Sequence, residues 1–306
     1  MGLSRTREHP WLDRYAIFAA FCTFLLVIAG ALVTSNGAGL SVPSWPTFFG
    51  SFHIPPMVGG IKYEAGHRIV AGFVGLLTVI LALWIWARDC RPWLRRLGGI
   101  AVLALLAQAI LGGIAVLVDL PVSISVAHAC LGQVFFCIIV SLAILVRPGW
   151  NWDEPRLEDT SKPSTRQLAV WTVGAIFLQV MLGAAFRHGG MGIGPHLAGA
   201  VVVTVVVVWL VKRILADYAH QTRLVRSSLV LGGLLVLQLV LGVGAYMEMI
   251  KYASYPQPEP PAITATTLHA AVGALVLAAA LVMALEAYRG LSGSPAASKA
   301  ELRVTT

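Results

Sequence analysis

The chain has 306 residues, 58% of them hydrophobic and only 12% charged, with a formal net charge of +8. A soluble domain carries roughly 25% charged residues, so this composition excludes an ordinary water-soluble globule. The positive balance could suit nucleic acid, but its distribution along the chain excludes that partner too, as shown below.

Eight apolar runs are each near the roughly 20 residues that span a bilayer. They fall at 14–35, 67–88, 97–118, 124–146, 168–187, 195–215, 227–247 and 264–287. Continuous apolar runs in lipid mean helices, because only a helix or a closed barrel satisfies its own backbone there. Residues 1–13 are a basic lead. The first run exits through Asn36-Gly37-Ala38-Gly39 into a long loop, 36–66, rich in proline and aromatic residues: Pro43, Trp45, Pro46, Phe48, Phe49, Phe52, Pro55 and Pro56. Such a loop serves as a lid over an apolar ligand or as an interfacial aromatic belt, and the sequence leaves both open. Glu64-Ala65-Gly66-His67-Arg68 stands at the mouth of the second run. The third run carries Gln108 to Gly112, and the turn Asp119-Leu120-Pro121 leads to the fourth, with His128. Residues 147–167 form a polar linker at the midpoint. Gln179 to Gly183 lie in the fifth run, and a glycine-rich turn, 189–194, leads to Pro195 and His196 in the sixth. The seventh carries Gln238 to Gly242. A second long loop, 247–263, precedes the eighth run and His269. The Ser/Ala/Gly-rich tail, 288–306, is expected to be disordered.

Of the 22 Lys and Arg residues, 18 fall in the N-terminal lead, in the loops after the second, fourth and sixth runs, and in the tail. Only Lys62, Arg68, Arg187 and Lys251 lie on the opposite side. Positive charge gathers on the cytoplasmic side, so both termini are expected in the cytoplasm of a multi-pass plasma (inner) membrane protein. The basic charge is then an orientation signal, and no nucleic acid is expected. Cys22, Cys90, Cys130 and Cys137 avoid the outside loops, so no disulfide is expected there.

The halves of the chain echo each other. Gly30-Ala31-Leu32-Val33 with Gly37 and Gly39 matches Gly183-Ala184-Ala185-Phe186 with Gly190 and Gly192. Gln108 to Ala115 matches Gln238 to Ala245, Val126 to Gly132 matches Thr267 to Gly273, and His67 falls opposite His196. The expected architecture is an all-α membrane protein with eight transmembrane helices. They form two pseudo-symmetric four-helix bundles, 14–146 and 168–287, as in proteins built from parallel repeats.

His67, His128, His196 and His269 all lie near the start of helices that run from outside to inside, so all four share one depth. Paired imidazoles on neighbouring helices can clamp one metal from opposite sides, the geometry of axial heme ligation in a bundle. Gly132, Gly273, Gly199 and Gly72, just beyond these histidines, could leave room for a flat macrocycle. Zinc fits poorly, because it wants three or four close ligands and each half offers two imidazoles and one carboxylate at most. His9 and His220 read as solvated, and His53 and His188 as loop residues. Glu64 precedes His67, whereas Ile193 takes the matching place before His196. The first half therefore reads as the one doing chemistry, with Glu64 moving protons or positioning water, and the second as holding a permanent redox heme. The plainer reading of Glu64 is a loop carboxylate paired with Lys62 or Arg68.

At these residues the chain resembles the heme A synthase family over about 14–287. The resemblance rests on Gly30 to Val33 with Gly37 to Ser41, Trp45-Pro46, Glu64 with Gly66-His67-Arg68, Gln108 with Leu111-Gly112, and His128 and His269. It implies oxidation of a ring methyl of heme O to the formyl of heme A, with water as the oxygen source, for terminal oxidase cofactor biosynthesis. Heme O would be the substrate between His67 and His128, with Glu64 near the reacting methyl, and heme b the cofactor between His196 and His269. Expected partners are the lipid bilayer, a heme O synthase and a membrane electron acceptor, with homo-oligomerisation left open. Two positions depart from the family pattern. Ser41 and Phe48 stand where many relatives carry a cysteine pair, and His196-Leu197 where His-Arg is usual. The rival functions are a diheme b-type electron-transfer subunit without porphyrin chemistry, and a heme transporter.

Overall fold

The computed structural model describes residues 10–147, 149–150 and 156–292. Its helices are α1 (Pro10–Ser35), α2 (Ile61–Arg88), α3 (Pro92–Leu117), α4 (Val122–Leu145), α5 (Thr165–Arg187), α6 (Gly194–Asp217), α7 (Thr222–Lys251) and α8 (Pro260–Gly290). Two short strands, β1 (Leu157–Glu158) and β2 (Leu291–Ser292), pair in parallel. All eight helices are long and apolar enough to cross a membrane, and the protein is an all-α multi-pass membrane protein.

The side chains of α2 show how such a helix divides its surface. Val74, Leu77, Leu81 and Ile85 recur at helical spacing and are buried, while Phe73, Leu76, Ile80 and Leu83 are exposed on the other side. Both faces are equally apolar. The buried face packs on protein and the exposed one meets lipid, which is why no polar stripe marks the outside. Gly98 of α3 lies on Ala82 of α2: a β-carbon at Gly98 would stand 3.5 Å from the Ala82 Cα. Small residues let membrane helices touch backbone to backbone.

Two ends differ from the sequence expectation. α2 begins at Ile61 rather than 67, so Glu64 sits in its first turn and His67 in its second. The apolar run marks only the lipid-embedded part, whereas Lys62 and Glu64 are good helix formers that extend it outward. At the other end of the chain, residues 288–292 are ordered: α8 runs to Gly290 and β2 follows. The remainder of the expected disordered tail, and most of the N-terminal lead, lie outside the described residues.

By contacts the chain forms two compact units. The first comprises Met1–Trp150, Ala184–Met191 and Val240–Ala274, and the second Asn151–Gly183, Gly192–Leu239 and Leu275–Thr306. Within the first, α1 packs on α2, α2 on α3, α3 on α4, and α4 back on α1. This closed ring is a four-helix bundle in which α2 and α4 stand diagonally opposed. Within the second, fully buried Asp159 accepts the backbone N–H groups of Thr165 (2.5 Å) and Ser161 (3.2 Å), placing a carboxylate at the N-terminus of α5. An anion there opposes the helix dipole favourably. Arg213 donates to the Pro163 carbonyl, and Arg166 stacks on Tyr288 with its Cζ 4.0 Å from the ring centre.

The turn between α2 and α3 is pinned by Asp89, which accepts from the Arg91 backbone N–H (2.9 Å) and from its guanidinium (2.7 Å at Nη2). Burial alone would raise the Asp89 carboxyl, but its bonds to Arg91 and the charges of Arg91 and Arg95 hold it below the usual range. A depressed carboxylate stabilises the fold above its unfolded pKa of about 3.9, and that stabilisation is lost as pH falls through the folded value. Asp89→Asn is expected to lower the melting temperature in detergent at pH 7. The gap to wild type should close below about pH 4.

Candidate active site

Each of the four histidines singled out by the sequence is seated against a glycine of the preceding helix. A β-carbon built at Gly30 of α1 would stand 3.2 Å from Cε1 of His67 in α2. The same distance is 2.9 Å from Gly112 of α3 to His128 of α4, 2.8 Å from Gly183 of α5 to His196 of α6, and 2.9 Å from Gly242 of α7 to His269 of α8. Contacts this short leave no room for a methyl group. The four imidazoles therefore lie edge-on against bare backbone, each in the same manner.

A glutamine one turn before the glycine completes two of these seats. Gln108, four residues before Gly112, donates from Nε2 to the His128 carbonyl at 3.0 Å. Gln179, four residues before Gly183, does the same to the His196 carbonyl at 2.8 Å. Residues four apart share a helix face, so the Gln-x-x-x-Gly spacing delivers an amide to the backbone and a gap to the ring. The glycine roles expected from sequence change accordingly. A β-carbon at Gly132 would stand 3.0 Å from the Gln108 amide, and one at Gly199 would overlap the Gln179 amide. These two glycines make room for glutamines rather than for a macrocycle, and Gly72 faces open space.

His67 and His128 belong to the diagonally opposed helices of the first bundle, and the two rings lie within electrostatic reach of each other. Nδ1 of each is buried without a hydrogen-bond partner. A buried polar atom left unsatisfied costs on the order of 1–3 kcal/mol, so two such nitrogens in one interior call for a missing partner. Opposed imidazoles with unmet ring nitrogens fit axial ligation of a porphyrin iron. Among the described residues no group of three or more His, Cys, Asp or Glu stands together to hold a metal ion. His196 and His269 are packed against Gly183 and Gly242 in the same manner as the first pair is against its glycines. His196 lies in the second unit and His269 in the first.

Glu64 is 3% exposed. Its Oε2 accepts the Val42 backbone N–H at 2.7 Å, and its Oε1 accepts from Arg68 Nη2 at 2.5 Å. Arg68 then fans out to three loop carbonyls, Ser44 (2.6 Å), Val42 (2.7 Å) and Thr47 (3.2 Å). The Glu64–Arg68 pair thus ties the base of the long first loop to α2. Trp45 completes the attachment by lying on Gly113, where a β-carbon would stand 2.6 Å from the indole. Gly113 follows Gly112, so the loop's tryptophan sits beside the seat of His128. The loop's far part is uncommitted: Phe49, Phe52, Ile54 and Val58 are all exposed. Lys62, the other partner considered for Glu64, stacks on Tyr63 instead.

His53 bonds Ser51 Oγ on the loop surface at 2.7 Å. His188 is half-buried in the turn after α5, where burial, and then the charge of Arg187, push its imidazole below the usual histidine range. His220 follows α6 in a short turn, and His9 lies outside the described residues.

With this geometry in view, the comparisons become specific. The model of the COX15-CtaA family, described as cytochrome oxidase assembly protein, matches residues 61–193. That stretch holds Glu64, His67, Gln108, Gly112 and His128. A heme A synthase of Shouchella clausii is 33% identical over 184 residues, covering 59% of this chain and 60% of that one. A heme A synthase of Lysinibacillus sphaericus is 27% identical over 189 residues, covering 60% of each. One of Alkalihalophilus pseudofirmus is 32% identical over 142 residues, covering 45% of this chain and 47% of that one. Over these stretches the chain is similar to heme A synthases. Its match spans about 60% of the length of the first two of these relatives. The family match ends at 193, so it takes in the first pair of histidines and stops short of His196 and His269.

Two outcomes follow from the seats and the latch. Gly112→Ala should destabilise the protein by about 1–3 kcal/mol through overpacking against His128. Gly99→Ala, with open space around it, should be neutral or slightly stabilising in the same thermal scan. Arg68→Ala should release the first loop and speed limited proteolysis within residues 36–60 at least several-fold, because three carbonyls and a carboxylate lose their shared donor. Unchanged cleavage would show that Arg68 does not hold the loop.

Proposed function

We propose that this protein is a heme A synthase that oxidises a ring methyl of heme O to a formyl group. The observation that carries the reading is the opposed, glycine-seated pair His67 and His128, each with a buried ring nitrogen lacking a partner. In this reading the two imidazoles hold the substrate's iron and so fix the ring that carries the reacting methyl. The matched family segment contains both histidines, and the relatives it resembles bear the name heme A synthase.

Methyl and water become formyl with release of four protons and four electrons. The electrons pass to an acceptor in the membrane. The protons need a group at the site, and Glu64, one turn before His67, is proposed for it. Its present bonds to Val42 and Arg68 suit a carboxylate whose position is fixed by the base of the first loop. His196 and His269 are proposed as imidazole donors to a resident heme b, which when bound supplies one-electron redox chemistry. Each is prepared by its own glycine, as the first pair is. The repeat of seats supports the reading of two pseudo-symmetric halves. The distribution of Lys and Arg supports a plasma-membrane protein with cytoplasmic termini.

The test is co-expression with a heme O synthase, followed by pigment extraction and a pyridine hemochrome spectrum. Wild type should yield heme A. His67→Ala and His128→Ala should each leave heme O unconverted, and Glu64→Gln should cut product strongly while porphyrin is still bound. Heme A formed at the wild-type level by His128→Ala would overturn the assignment.

A further inference from the structure

Arg187 ends α5. Among the described residues its bonds go only to neutral oxygens: the Ser35 hydroxyl (2.5 Å), the Ala31 carbonyl (3.0 Å) and the Thr266 carbonyl (3.3 Å). The ion pairs of the described residues join Arg68 to Glu64, Arg91 to Asp89 and Arg147 to Asp13, and none includes Arg187. A guanidinium carries five N–H donors, and these three bonds leave two of them without an acceptor. A partly buried cation at a membrane-helix end is costly, and such residues are held in place by function or by a counter-charge. Among the described residues no carboxylate pairs with it.

Its surroundings tie it to the candidate site. Ala31 follows Gly30, the glycine that seats His67. His188, next in sequence, is among the charges that His128 senses. Gly190, two residues further on, packs against Val122 at the start of α4, where a β-carbon would stand 2.8 Å from Cγ1. Arg187 thus adjoins the seat of one imidazole and, through its own turn, the helix that carries the other. Ser35 bridges to the Thr266 hydroxyl at 2.9 Å and accepts from the Thr267 hydroxyl at 3.0 Å, so the one hydroxyl that touches the cation is itself held in place from α8.

We propose that Arg187, positioned by Ser35 and the carbonyls of Ala31 and Thr266, binds a propionate carboxylate of the porphyrin held by His67 and His128. The inference rests on the heme reading above and adds to it the anchor for the substrate's acidic edge. A guanidinium suits this task because its planar fork pairs with carboxylates and stays charged at any working pH. Since the sequence repeat places Thr34 opposite Arg187, the anchor is single and gives the porphyrin one orientation about the axis between its two imidazoles. The other source of a matching carboxylate is a porphyrin held by His269, three residues from Thr266.

The experiment titrates purified protein in detergent with iron protoporphyrin IX and with its dimethyl ester, read by the Soret band. Wild type should prefer the free acid by about tenfold, the worth of one charge-assisted bond. Arg187→Gln should bring the two affinities together while the bis-imidazole spectrum persists, and Arg187→Lys should keep part of the preference. The same comparison in a His269→Ala background should give the same dependence on Arg187. A full preference for the free acid in both Arg187 variants would overturn the proposal. So would a dependence that vanishes in His269→Ala but survives in His128→Ala, because the carboxylate would then belong to the other porphyrin. If adding wild type leaves the Soret band of both porphyrins unshifted, the heme reading itself fails, and the anchor fails with it.

Discussion

An imidazole can lie edge-on against a neighbouring helix only where that helix has no side chain opposite it. This steric requirement is met four times, by Gly30, Gly112, Gly183 and Gly242, at contacts of 2.8–3.2 Å to a notional β-carbon. It fixes the rotational setting of each pair of consecutive helices, because the glycine of one must face the histidine of the next. It also fixes depth, since each glycine lies near the end of its helix and each histidine near the start of the following one. The hydrophobic solvent imposes no such register by itself. Helices equally apolar on all sides would slide and turn freely, and the seats remove that freedom.

Polar bonds then carry the arrangement outward. Gln108 and Gln179 lock the carbonyls of His128 and His196, and Gly132 and Gly199 keep the space that these amides need. Glu64 and Arg68 bind the first loop down, and Trp45 lays it against Gly113. In a low-dielectric setting these few bonds weigh more than they would in water. The Nδ1 atoms of His67 and His128 and two donors of Arg187 have no such bond among the described residues.

Much of this was legible in the sequence. Eight apolar runs of spanning length correspond to the eight helices, and all four singled-out histidines sit in glycine seats. The Gln-x-x-x-Gly pieces were visible too, but their meaning was not. One chain gives the spacing that puts both residues on one face, yet not which neighbour that face meets. For the same reason the glycines just past each histidine read as room for a ligand, when Gly132 and Gly199 make room for glutamines. The start of α2 was misplaced because hydropathy tracks lipid rather than helix, and the turn containing Glu64 lies beyond the apolar part. Arg187 drew no attention, because a lone arginine at a run's end looks like any interfacial charge until its oxygens are seen to be neutral.

The first seat differs from its counterparts in one residue. Where α3 and α5 carry Gln108 and Gln179, four positions before the glycine, α1 carries Leu26. No side chain of α1 grips the main chain of α2 at His67 among the described residues, so that ring rests on shape alone. A histidine mounted without a strut can swing further than one with its backbone clamped. Under the proposed heme chemistry, one yielding jaw opposite one rigid jaw would ease the entry and exit of a large flat molecule. The substitution of a leucine for an amide would then set which side of the cleft gives way.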